Sequence, residues 1–306
     1  RAEVPGPEAD KLVPRARTTA QILYAMYFVL TAVEVVLLLF GGMNFYDALL
    51  HAFSTAGTGG FSNMNASVAH YDSAYIDGVI TVFMILFGVN FNLYFLICLR
   101  KWKEAFQNEE LHIYLGIIAG AVAVITIDIL HQYGNVMRAF RYASFQVAAI
   151  ITTTGFCTAD WNLWPELSKT VLLSLMVVGA CAGSTGGGIK VSRLMILLKS
   201  IKQETKRMLH PKAVTIVRVN GRKVSGETMN GVYIYFICYI MILLGSVLLV
   251  AFNNFDFGTT FSAVLTTLNN VGPGISLVGP VENFSQFSGL SKAVFCVDML
   301  VGRLEI

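Results

Sequence analysis

The chain has 306 residues, of which 55% are hydrophobic and only 13% charged, with a mean hydropathy of +0.63. That is more apolar than a soluble domain needs to build its core, and it makes a lipid bilayer the fitting solvent. The net charge of +3 is small and dispersed, without a basic stripe interleaved with aromatics, which argues against a nucleic-acid partner. The five cysteines lie far apart, mostly in apolar runs and with no CxxC pair; they read as packing residues rather than as a disulfide framework or a zinc site.

In chain order, the first apolar run (20–40) follows Lys11, Arg15 and Arg17. It has the full length of about 20 residues that a bilayer demands, so it is predicted to span rather than to be a signal peptide. Next comes 45-FYDALLHAFSTAGTGGFS-62, too short to cross, read as a half-helix over 46–56 running into Thr58-Gly59-Gly60. A single span is predicted over 75–99, a short basic loop over 100–109, and a span over 111–130. The segment 140-FRYASFQVAAIITTTGFCT-158 repeats the half-helix pattern over 140–151 and ends on Thr153-Thr154-Gly155.

The apolar run 168–199 is too long for one straight span. As a helix it would run ~48 Å at ~1.5 Å per residue, against a hydrocarbon core of ~30 Å. Gly179, Gly183, Gly186, Gly187 and Gly188, with Ser184 and Thr185, cluster midway, and at ~1 kcal/mol per helical glycine a break there is the cheapest solution. Broken backbone at membrane depth must line a cavity or be buried in protein, so Gly183, Ser184, Thr185, Gly186, Gly187 and Gly188 are candidates for a loop obstructing a path. Close helix packing is the alternative use of such glycines.

Ten of the 22 Lys and Arg fall between Lys190 and Lys223, which places residues 1–18 and 200–228 on the cytosolic side by the positive-inside rule. Within that loop, 214-VTIVRVNGRKVSG-226 alternates about Asn220-Gly221, a hairpin signal. A span follows at 229–252. The third short segment, 257-FGTTFSAVLTTLNNVGPGIS-276, gives a half-helix over 258–268 and Asn270-Val271-Gly272. The last run, 287–306, contains Arg303. The chain opens without methionine and stops inside an apolar run, so both ends read as cut.

Aligned on Gly60, Gly155 and Gly272, the three short segments stand 95 and 117 residues apart, a repeat of span, half-helix, glycine-containing strand and span. Three re-entrant segments in one chain argue for a shared pore. Strands over Thr58, Gly59, Gly60, over Thr153, Thr154, Gly155 and over Asn270, Val271, Gly272 have the logic of a potassium filter, in which backbone carbonyls replace the hydration shell of the ion. Half-helices aiming their carbonyl ends at that point favour a cation. The fold class expected is an all-α integral membrane protein of helix, re-entrant pore helix, helix units about a central pore.

Other motifs carry less. In 183-GSTGGGIK-190, Ile189 separates the glycines from Lys190, so the phosphate-loop pattern fails. Glu34, Asp77, Asp128 and Asp298 lie in or near spans, where an ionisable group is a functional candidate by default; for Asp77 and Asp128 interfacial solvation or a helix-helix hydrogen bond is preferred. No catalytic constellation marks an enzyme. A Na⁺- or H⁺-coupled symporter of potassium or sodium would need a second ion site from midplane carboxylates, for which Glu34 and Asp298 are the candidates.

The segments AGTGGFS, TTTGFCTADWNLWP, GACAGSTGGGIKVSRL and NNVGPGISLVGP, with the terminal GRLEI, resemble the bacterial Trk/Ktr/HKT potassium transporter superfamily, most closely its TrkH branch. The resemblance implies four consecutive repeats about one pore, of which this sequence carries the second (1–110), the third (111–228) and most of the fourth (229–306), without the first filter. It further implies potassium uptake across a bacterial inner membrane, with potassium ion as the only cofactor-like species. A homodimer, a cytosolic nucleotide-binding regulatory subunit, an intramembrane gating loop at the glycine cluster, and Arg303 as an electrostatic barrier in the pore are implied as well.

Overall fold

The computed structural model describes residues 16–210 and 216–304, and within them the chain is almost entirely helical. Helix α1 (Ala16–Phe40) leads into the short α2 (Phe45–Ala56), followed by α3 (Ala74–Phe87), α4 (Phe91–Cys98) and α5 (Trp102–Phe106). Next come α6 (Glu109–Tyr133), α7 (Val136–Ile151), α8 (Glu166–Val178) and α9 (Val191–Leu209). Strands β1 (Arg218–Val219) and β2 (Arg222–Lys223) precede α10 (Gly226–Val250), α11 (Phe257–Leu268) and α12 (Gly289–Leu304).

Side-chain caps set where the three short helices begin. Asn44 accepts the amide hydrogen of Asp47 at α2, Asn135 that of Met137 at α7, and Asp256 that of Thr259 at α11, each satisfying a donor that the first turn leaves free. The cap at Asn135 starts α7 before the predicted residue 140. Among the described helices, α1, α6 and α10 are long and apolar enough to cross a membrane. Their large apolar side chains, such as Phe28, Ile127 and Leu248, point outward and are exposed, the arrangement of a chain whose surroundings are themselves apolar.

The span predicted over 75–99 is corrected: α3 and α4 meet at a bend of 90°. Gly88 ends α3, and a Cβ there would strike the buried hydroxyl of Tyr114. Asn90 caps α4 through the amide of Asn92. The long run 168–199 breaks between α8 and α9, where the glycine cluster predicted it, and Gly179, Gly183 and Gly188 take positive φ. The two breaks serve one another: Cys181 donates its amide to the Gly88 carbonyl at 3.0 Å, and Phe91 donates to the Gly183 carbonyl at 3.3 Å. Backbone groups freed by each bend are thereby satisfied inside the protein, as depth in a membrane requires.

The hairpin closes as the Asn-Gly pair predicts. Val219 pairs with Arg222, while Asn220 and Gly221 take φ +50° and +76°, the left-handed pair of a type I′ turn. Val214 and Thr215 of the predicted hairpin, the basic residues before α1 and the last two residues lie outside the described residues. The core runs between α6, α7, α8, α10 and α11, with Tyr114, Ile125, Ile150, Leu172, Met176 and Leu265 among its buried members.

Candidate functional site

The three short helices end in the same way. Thr58 donates its amide to Thr55 and Gly59 to Ser54; Thr153 donates to Ile150 and Thr154 to Ala149; Asn270 donates to Thr267 and Val271 to Thr266. This is one Schellman cap made three times, with the C′ position at Thr58, Thr153 and Asn270. Their φ angles are +50°, +56° and +56°. Glycine or asparagine ordinarily fills such a position, and a β-branched residue there is a true outlier. Two threonines held in it mark a site where the surroundings over-determine the backbone. Two residues on, Gly60, Gly155 and Gly272 take φ +66°, +84° and +109°, so in each strand two residues of positive φ flank one of negative φ.

These strands stand side by side in chain order. A Cβ on Gly60 would collide with the carbonyl oxygen of Thr154, and one on Gly155 with that of Val271. At Gly272 a Cβ would meet nothing within 4 Å among the described residues. Each strand is tied back to its own helix, by different chemistry. In the first, the buried His51 meets Ser62 through Nε2 at 3.0 Å, and Phe61 donates to Ser54 Oγ at 2.6 Å. In the second, Gln146 donates to Thr158 at 3.4 Å. In the third, Thr266 donates to the Pro273 carbonyl at 3.1 Å, and Ile275 donates to Ser262 at 3.1 Å.

Pressed against the helix ends lies the loop between α8 and α9. Thr58 Oγ1 donates to the Thr185 carbonyl at 3.0 Å. Gly187 donates its amide to Thr153 Oγ1 at 2.7 Å, and a Cβ on Gly187 would come within 2.6 Å of the Asn269 carbonyl oxygen. Residues 185–187 therefore touch the end of all three short helices. Arg303 on α12 donates from Nη1 to the same Thr185 carbonyl at 2.9 Å, and Asn270 donates from its side chain to Met299 of α12 at 3.1 Å. Gly183 receives Phe91, Ser184 Oγ donates to the Cys181 carbonyl, and Gly188 packs on Gly179. The nine strand residues, the six loop residues and Arg303 thus come together in one place.

Sequence reasoning missed the residues that hold the loop from the side. Glu110, buried in the first turn of α6, accepts the Ala182 amide hydrogen at 2.7 Å through Oε1. Asn269 exchanges hydrogen bonds with the Tyr239 hydroxyl. The signal for Glu110 would have been a second acid at the head of an apolar span, where one suffices for the helix dipole.

Of the ionisable residues singled out, Asp77 pairs with Arg141 at 2.7 Å, Asp128 accepts from Ser168 at 2.6 Å, and Asp298 accepts from Ser246 at 2.7 Å. Both carboxyl oxygens of the fully buried Glu34 have no hydrogen-bond partner among the described residues. No group of three or more His, Cys, Asp or Glu side chains suited to a metal is present among the described residues.

The family model for TrkH, described as cation transport protein, matches residues 1–119 and 126–306. The chain belongs to the TrkH cation transport family. It is 36% identical over 310 residues to the Trk system potassium uptake protein TrkH of Salmonella typhimurium, covering 100% of this chain and 64% of that relative. It is 32% identical over 309 residues to the Trk system potassium uptake protein TrkG of Escherichia coli, covering 100% of this chain and 63% of the relative. The crystal structure of the potassium transporter TrkH from Vibrio parahaemolyticus superimposes with a TM-score of 0.88 at 34% identity, over 96% of this chain and 64% of that one. The chain thus spans somewhat less than two thirds of the length of the TrkH-family members it matches, and its described helices are those of a multi-pass membrane protein.

Proposed function

We propose that this chain supplies three quarters of a potassium-selective, gated pore, working in potassium uptake across a bacterial inner membrane. The observation that carries the proposal is the threefold recurrence of one cap and one alternating pattern of φ, in strands packed side by side. In an ordinary strand successive carbonyls point to opposite sides. Alternating the handedness of successive residues turns them to a common side, where they can take the place of water about a cation. The helix ends behind the strands add negative dipole ends, and the potassium ion is substrate rather than resident cofactor.

On this proposal Thr58 to Gly60, Thr153 to Gly155 and Asn270 to Gly272 form the filter, residues 183–188 form the gate below it, and Arg303 adds a positive charge beside the gate. The repeats divide as 1–110, 111–228 and 229–306, with the hairpin side in the cytosol. A homodimer and a cytosolic nucleotide-binding subunit complete the assembly by the family resemblance. Transport names in the relatives, rather than any catalytic group, support a function without chemistry on the substrate. The test is ⁸⁶Rb⁺ uptake into liposomes containing the full-length protein, in competition with K⁺ and Na⁺. Uptake blocked by K⁺ and indifferent to Na⁺ supports the assignment; no uptake by well-folded protein, or equal competition by Na⁺, overturns it.

A further inference from the structure

On the hairpin side of the molecule the β1–β2 turn is fastened to the first turn of α6. The Asn220 side chain accepts the amide hydrogen of Glu109 at 2.8 Å. Lys199 of α9 joins the same place from a second direction, since its ammonium contacts the Glu109 carboxylate and donates to the Arg218 carbonyl at 2.8 Å. One residue further along α6, the Glu110 carboxylate turns inward and accepts from Ala182, at the edge of the glycine loop. Surface hairpin and intramembrane loop are therefore held by adjacent residues of one helical turn, which moves as a unit because its backbone is hydrogen-bonded and capped by Asn108 through Leu111.

Beside this junction is a cavity of about 740 Å³. The hairpin lines it from Val219 to Ser225, the head of α6 lines it at Asn108 and Glu109, and α4 lines it at Asn92, Leu93 and Leu96. Its wall also includes Asn90, beside the Phe91 amide that binds Gly183. The hairpin, the head of α6 and α4 thus border one open volume.

We infer that Glu110 is a positioning residue for the 179–190 loop, and that Asn220, Glu109 and Glu110 form a relay that couples the surface hairpin to that loop, so that loosening the hairpin loosens the loop. The relay presupposes that the loop is the gate, as proposed above. The hydrogen bond at Glu110 satisfies the buried backbone amide of Ala182, a donor that is costly to leave unpaired. Its loss shifts the balance between docked and released loop, and a local opening of this kind is read by amide exchange.

The experiment is hydrogen exchange by mass spectrometry on the full-length protein in nanodiscs, following peptides across 181–188, with ⁸⁶Rb⁺ flux measured in parallel. Glu110→Ala is expected to speed exchange at Gly187, whose amide binds Thr153 and not Glu110, by about tenfold. Glu110→Gln, which keeps the acceptor oxygen, restores wild-type exchange. Asn220→Gly keeps the left-handed turn and removes only the side chain, and it is expected to speed exchange at the same peptide. The double variant Glu110→Ala with Asn220→Gly then behaves as Glu110→Ala alone, because both act through one connection. Additive effects, or an Asn220→Gly variant with unchanged loop exchange, overturn the relay. Faster exchange with unaltered flux would leave the relay standing and remove the loop from the role of gate.

Discussion

The hydroxyl of Thr153 accepts the amide hydrogen of Gly187 at 2.7 Å, joining the C′ residue of α7 to the middle of the loop between α8 and α9. Thr153 is fully buried and sits at φ +56°, so a strained residue in the strand is also the loop's point of attachment. Replacing it by valine keeps the shape and removes the acceptor. A buried amide left without a partner costs about 1–3 kcal/mol, and the cost falls on the docked loop. Thr153→Val is expected to raise Rb⁺ flux in the absence of any regulatory partner; unchanged basal flux at matched protein would detach the loop from conduction.

Two of the strand glycines have a neighbouring carbonyl where a side chain would go, that of Thr154 beside Gly60 and that of Val271 beside Gly155. Gly155→Ser is therefore expected to move the neighbouring strand and to lower the K⁺/Na⁺ permeability ratio by about tenfold, equivalent to ~1.4 kcal/mol between the ions. Bi-ionic reversal potentials of the full-length protein measure it, and an unchanged ratio would remove Gly155 from the ion path.

Arg303, though exposed, shares the Thr185 carbonyl with Thr58, which places its charge beside the loop. Removing it both lowers the repulsion felt by a passing cation and frees one acceptor of the loop. Arg303→Ala is expected to raise flux by about tenfold, the effect of ~1.4 kcal/mol on a barrier. Arg303→Lys, which keeps the charge but loses the planar donor, should rise less. Flux at or below wild type in Arg303→Ala, at matched expression, would rule out a barrier at this position.

Asp256 caps α11 through the hydroxyl and amide of Thr259. The Thr259 hydroxyl bond, followed by the amide bond, holds its carboxyl below the usual value. A depressed value in the folded state stabilises above the unfolded value of about 3.9 and is lost as pH falls through the folded one. Asp256→Ala should lower stability by about 1 kcal/mol near neutral pH, with the gap to wild type closing below about pH 4. Thermal unfolding in detergent across pH 3–7 checks this, and a constant gap over that range would exclude an ionised cap.

The three similar glycine-containing strands were legible because glycine recurs at one offset in three copies, and the break near Gly183 because a single helix there would be far too long for a bilayer. The bend at Gly88 was missed although Gly88 and the cap Asn90 stand at it: a hydropathy window averages over two polar residues in an apolar run, and the backbone groups freed by the bend are satisfied by a distant segment. Nor could sequence reveal left-handed threonines at 58 and 153, since propensity argues against threonine there and only the packed surroundings impose it. Glu110 was hidden for a related reason: in sequence it is one of two acids opening a helix, a pattern that helix electrostatics alone explains.

The paired breaks have a consequence for how the protein is made. Gly88 and Phe91 find their hydrogen-bond partners in Cys181 and Gly183, which the ribosome releases two helical hairpins later. Until then a bent α3–α4 segment in lipid would hold an unsatisfied carbonyl and amide, and the straight helix is the form that satisfies itself. The segment is therefore expected to enter the membrane straight and to acquire its bend once the glycine loop is there to accept and donate. A nascent chain stalled before residue 181 should protect residues 86–92 from exchange as one continuous helix, and the completed chain should not.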